Sequence, residues 1–229
     1  MSAGSSLSRM FRIDVIRMKS YSLPNHRSDR RPGFFWVLLM LLWLGGCASV
    51  PPSQPSNLCA LFEEKDDWYE ASIAAQKTWG IPVPVQMAIM KQESAFVADA
   101  RPPRKWFLGF IPLSRPSSAY GYSQALDGTW DRYRESTGHT GAERDDFADS
   151  VDFIGWYARL SQTELGISTL DAYRQYLAYH EGQGGYARGS YLKKPWLQDV
   201  ARKVASTADR YHRQLDGCKP DLDEELASN

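Results

Sequence analysis

The chain has 229 residues, with 27 Lys and Arg balanced by 27 Asp and Glu, four His and three Cys. Its first 47 residues hold seven of the basic and two of the acidic side chains, so the remainder carries 20 cations against 25 anions, a net charge near −5. No cation excess is left to displace counterions from a phosphate backbone, which excludes a nucleic-acid partner. The sparse His and Cys fall at no metal-ligand spacing, so neither a metal nor a cofactor is expected.

At the N-terminus, Phe34 to Leu44 is almost wholly apolar, Arg27, Arg30 and Arg31 precede it, and Leu44-Gly45-Gly46-Cys47 follows. About eleven apolar residues fall well short of the ~20 that a membrane-spanning helix needs. The pattern reads as a secretory signal over 1–46, with Met10 and Met18 as alternative starts. Its end resembles a lipobox, so Cys47 is expected to become the first mature residue and to carry an acyl anchor. Ala48 in the next position implies the periplasmic face of the outer membrane.

Residues 47–58, rich in Pro and Ser, read as a tether reaching about 35 Å when extended. About 180 residues remain, enough for one domain with one core. Cys59 and Cys218 bracket it, and in an oxidising compartment they read as a disulfide, with two unpaired buried thiols as the alternative. Residues 219–229 read as an acidic tail.

Within 59–218 the periodicity is helical. Trp68, Ala71, Ala75 and Trp79 share a face that Gly80 ends, and Pro84 opens a helix whose Val85, Ala88, Ile89 and Gln92 lead to Glu93. Asp127 is expected to cap a short helix that stops near Gly138, and Asp145 or Asp146 to cap a long central one striped by Phe147, Val151, Ile154 and Ala158. Ser168 with Asp171 resembles a capping box for a helix through Tyr176 and Tyr179, broken by Gly182, Gly184 and Gly185. A last helix begins near Pro195, with Trp196, Val200, Val204, Ala208, Tyr211 and Leu215 on its buried side. No convincing run of strands is present, so the fold class is mainly α, with at most a small β element.

Three short motifs stand in order: Glu93-Ser94 at a helix end, Gly121-Tyr122-Ser123-Gln124, and Ala178-Tyr179-His180-Glu181-Gly182. From about Ile81 to Tyr186 the chain resembles the catalytic domain of the soluble lytic transglycosylase family, whose members show Glu-Ser, Gly-Leu-Met-Gln and Ala-Tyr-Asn in this order. Glu93, Gly121, Gln124 and Tyr179 match that pattern; Tyr122, Ser123 and His180 depart from it. The resemblance implies a lysozyme-like single domain over 59–218, with its motif core at 81–186. It also implies an enzyme that cuts the β-1,4 bond from N-acetylmuramic acid to N-acetylglucosamine in peptidoglycan, leaving a 1,6-anhydro end.

On that resemblance Glu93 is the single general acid and base, because the substrate's own acetamido group replaces a second carboxylate. Tyr179 is expected to orient Glu93, with a core aromatic whose hydroxyl is satisfied as the alternative. Gly121 is read as a close-approach or positive-φ position, Gln124 as a donor to the turn or the glycan, and Ser123 as a donor to the acetamido group or a surface turn serine. Ser94, Tyr122 and His180 complete the candidate substrate-contacting set. Glu181 is either a solvated acid or a second carboxylate that would turn the reaction into hydrolysis. Between the first two motifs, Arg101, Arg104, Lys105 and Arg115 surround Trp106, Phe107 and Phe110, a candidate groove wall or lipid contact, or else an ordered surface loop whose aromatics pack on the domain. The rival readings are a peptidoglycan-binding lipoprotein that no longer cleaves and a helical scaffold protein.

Overall fold

The computed structural model describes residues 50–104, 106–108 and 111–228, and the backbone alone of 106–107 and 111–112. The expected signal and lipidation site, 1–46 and Cys47, lie outside these residues, as do Lys105 and Phe110. Among the described residues seven α-helices follow one another: α1 (Leu58–Glu64), α2 (Asp66–Trp79), α3 (Val83–Ser94), α4 (Asp127–Thr137), α5 (Phe147–Leu165), α6 (Ala172–Ala187) and α7 (Pro195–Ser228). A 3₁₀ turn over Ser190–Lys193 precedes α7. The small β element is an antiparallel pair of two-residue strands, β1 (Trp106–Phe107) and β2 (Ile111–Pro112).

Helix α3 is the centre of the domain. Nine of its 12 residues are buried, as expected for a helix covered on several sides. It packs on α5 and α7, and α2 lies along α5. Gly155 permits that last approach, because a Cβ there would stand 2.5 Å from Cδ1 of Trp79. The Trp79 indole is itself held by a 2.6 Å bond to Asp152.

Several helix boundaries differ from the sequence reading in instructive ways. Leu126, not Asp127, is the cap of α4; Asp127 is its first residue and pairs with Arg144 at 2.8 Å. Asp146 caps α5 by accepting the Asp149 N–H. Asp171 alone caps α6, through the Arg174 N–H, while Ser168 takes the Leu170 N–H upstream. Only Gly182 interrupts α6, at φ 72° and ψ 158°, and helix resumes through Gly184 and Gly185. Trp196 is not on the buried side of α7 but 54% exposed, next to a fully buried Leu197.

The two ends of the domain also need correction. Residues 52–57 are no free tether: Pro52 is buried, Ser53 bonds Glu64, and the Tyr211 hydroxyl donates to the Pro55 carbonyl. The 219–229 tail is helical to Ser228, with Leu222 buried and Asp223 accepting from the Tyr69 hydroxyl at 2.6 Å. Helix α7 runs through Pro220, which supplies no N–H to the ladder. Just before it, Cys218 is joined to Cys59 in a disulfide with Cα atoms 6.1 Å apart.

Candidate active site

The acid motif is set by how α3 stops. Ala95 and Phe96 follow Glu93-Ser94 at φ 51° and 64°, two successive left-handed residues of a kind that store backbone strain. Burial of Phe96 against Trp68 holds this turn. Ser94 is buried and serves the same turn: its Oγ donates to the Met90 carbonyl at 3.3 Å and accepts the Phe96 N–H at 3.1 Å. It is a capping residue, corrected from the substrate-contacting set.

The second motif is a tight turn clamped from both sides. Gly121 has φ 78°, and a Cβ on it would lie 1.9 Å from the backbone oxygen of Arg144. The close approach is therefore to the protein's own chain, and the Tyr122 N–H seals it with a 3.0 Å bond to that oxygen. Tyr122 is 2% exposed and meets Trp68 and Phe147 edge-on, where those two rings stack at 3.9 Å, so it belongs to the core. Ser123 is fully buried and its hydroxyl finds no partner. Gln124, at φ 51°, donates to the carbonyls of Ala100 and Gly121 and so holds the turn while also lining the cleft.

Both motifs face α6 across a cleft of about 370 Å³, whose walls include Glu93, Gln124, Tyr157, Tyr179, His180 and Glu181. Glu93 keeps part of its surface open to the cleft, yet protein atoms crowd it on the other sides. Loss of water around it pushes its carboxyl up to about 7, against a lowering hydrogen bond from Tyr176. Tyr176 is thus a second tyrosine at the acid, beside Tyr179, which shares the cleft with Glu93 and feels its charge. The Tyr179 hydroxyl donates instead to the Ser123 carbonyl at 2.6 Å. Tyr176 stands one helical turn before Tyr179, so the spacing i, i−3 was the available signal for it.

Glu181 is neither solvated nor a free second carboxylate. Its side chain is 4% exposed, it takes Lys194 at 2.7 Å and His180 at 3.1 Å on one oxygen, and it takes the Ser190 hydroxyl on the other. Burial tends to raise its pKa, but the bonds from Lys194, Ser190 and His180 outweigh this and hold it at about 2. In the segment between the first two motifs, Arg101 lies over the Tyr120 ring at 3.9 Å and Arg115 donates to the Pro102 carbonyl, so both cations are engaged within the protein.

The arrangement is a single raised carboxyl at the foot of a cleft, two neutral tyrosines beside it, and a rigid turn opposite. No curated protein matches the chain. The family model described as transglycosylase SLT domain does match, over residues 35–218, which takes in all three motifs and ends at the disulfide Cys218. The chain belongs to the transglycosylase SLT domain family.

Proposed function

We propose that the protein is a peptidoglycan lytic transglycosylase in which Glu93 is the only acid and base. The observation that carries this reading is the Glu93 carboxyl raised to about 7 at the cleft, which keeps a protonated fraction near neutral pH. Protonated Glu93 gives its hydrogen to the bridging oxygen as the bond from C1 of N-acetylmuramic acid breaks. The acetamido oxygen of the same sugar attacks C1 and carries the charge. Glu93, now a carboxylate, then takes the proton of the C6 hydroxyl as that oxygen displaces the acetamido group, which closes the 1,6-anhydro ring. No water is consumed.

Glu181 supports the single-carboxyl scheme. A group ion-paired to Lys194 and held at about 2 is a poor base for water. The export reading completes the proposal: a lipoprotein anchored through Cys47 at the periplasmic face of the outer membrane meets this substrate and no nucleic acid.

Digestion of purified cell-wall sacculi tests the chemistry. Anhydro-muramic ends are expected from the parent protein, with Glu93→Gln slower by about 100-fold or more. Reducing muramic ends would instead point to hydrolysis, and equal inertness of both proteins with retained sacculus binding would point to a binding lipoprotein. Labelling with a fatty-acid probe that is lost in Cys47→Ser tests the anchor.

A further inference from the structure

We propose that Trp196 and His180 form a sugar subsite continuous with the Glu93 cleft, which takes a neutral pyranose ring on the indole and bonds one of its hydroxyls through Nε2 of His180. The proposal rests on the transglycosylase reading for the identity of the strand that carries the ring. Trp196 is 54% exposed although the residue after it is fully buried. An indole half in water beside a cleft presents a broad apolar ring face with an N–H at its edge, which a flat ligand ring can cover. It meets the His180 ring edge-on, with centroids 5.3 Å apart, and His180 lines the cleft itself.

The His180 ring has a fixed orientation. A carboxylate can only accept, so the 3.1 Å contact with Glu181 assigns a proton to Nδ1 and leaves Nε2 for a ligand. The same carboxylate is bonded by Lys194, two residues before Trp196, and by the Ser190 hydroxyl, whose oxygen lies 2.9 Å from the Gly185 carbonyl. One clamp therefore sets both members of the pair, His180 at the end of the first half of α6 and Trp196 in the first turn of α7. Prior ordering of this kind reduces the entropy lost on binding. Because Lys194 is paired with Glu181, the pair offers an aromatic face and one hydrogen-bonding nitrogen, a combination that suits a neutral sugar ring.

Titration calorimetry of full-length Glu93→Gln protein with chitotetraose, a neutral oligosaccharide, tests the subsite. In that background Trp196→Ala should weaken binding about fivefold to tenfold, Trp196→Phe less than threefold, and His180→Ala about threefold or more. In the active protein Trp196→Ala should raise KM by a similar factor with kcat nearly unchanged, and an unaltered melting temperature shows that the fold is intact. Equal affinity in Trp196→Ala, or no binding of the tetramer by the Glu93→Gln parent, overturns the proposal. If anhydro ends form and Trp196→Ala leaves KM unchanged, the subsite fails and the transglycosylase reading stands. If no anhydro ends form and Trp196→Ala still weakens tetramer binding, the reaction fails and the subsite stands.

Discussion

The Tyr179 hydroxyl donates to the Ser123 carbonyl at 2.6 Å and so ties the third motif to the second across 56 residues of sequence. Tyr176 lowers the Glu93 carboxyl through its own hydrogen bond, so the two tyrosines hold different partners with their hydroxyls.

The division predicts different phenotypes for two similar substitutions. Tyr179→Phe strips the buried Ser123 carbonyl of its donor, at a cost of about 1–3 kcal/mol. Its melting temperature should fall, with kcat/KM reduced at every pH because the turn opposite Glu93 loosens. Tyr176→Phe removes a bond that favours ionised Glu93. Its alkaline limb in a pH profile of kcat/KM should therefore move upward, and an unmoved limb would show that Tyr176 does not act on the acid.

Glu93 itself links activity to stability. A carboxyl held at about 7 in the folded protein and near 4.5 in the unfolded chain binds more protons when folded between those values. Its contribution is complete below pH 4.5 and is lost as pH rises through about 7, where the folded state must bear an ionised, crowded carboxylate. Glu93→Gln should therefore be more stable than the parent at pH 8, by about 3 kcal/mol, with the gain vanishing near pH 4. Denaturant melts at the two pH values measure this. The parent's kcat/KM should fall tenfold per pH unit above about 7, as free enzyme loses its acid.

Helix positions were legible because they follow from apolar period and Gly or Pro punctuation. The α2 and α3 bounds, the start of α7 and the kink at Gly182 all carry such local signals. The site was legible in its parts and not in their pairings. Gly121 announces a backbone need, but only the fold shows that the Arg144 backbone supplies it. Tyr122, Ser123 and Ser94 sit inside a motif and still turn away to core and capping roles, since a linear motif carries no direction. Glu181 and Lys194 are 13 residues apart with a glycine kink between them, beyond any helical spacing rule. Trp196 satisfied the apolar period of α7 and is nonetheless 54% exposed, because a period marks a stripe and not where its burial begins.

Gly121 gives a sharper structural test than any side chain in the turn. An alanine there must adopt φ 78° and place its Cβ 1.9 Å from a backbone oxygen that cannot swing away like a side chain. Gly121→Ala should cost about 2–5 kcal/mol and displace the Arg144 segment. Gly155→Ala meets the Trp79 side chain at 2.5 Å without a left-handed backbone, so its cost should be smaller, about 1–3 kcal/mol. Comparable melting temperatures for the two variants would contradict this ranking.

The disulfide closes the longest loop in the domain, with Cys59 and Cys218 separated by 159 residues. Chain entropy alone sets an upper value of about 5 kcal/mol for such a crosslink. Part of that constraint is shared, because Gln214 accepts the Leu58 N–H at 2.9 Å and its amide donates to the Ser56 carbonyl at 3.2 Å, holding α1 to α7 independently. A Cys59→Ala/Cys218→Ala protein should therefore fold but melt about 5–15 °C lower. The loss should be uneven. Pro220 breaks the helical ladder just past Cys218, so without the crosslink residues 219–228 keep only Leu222, the Tyr69 to Asp223 bond and their neighbours to hold the last turns. Hydrogen exchange should then show amides of 221–228 losing protection before those of α3, and uniform loss along the chain would mean that the crosslink acts on global unfolding alone.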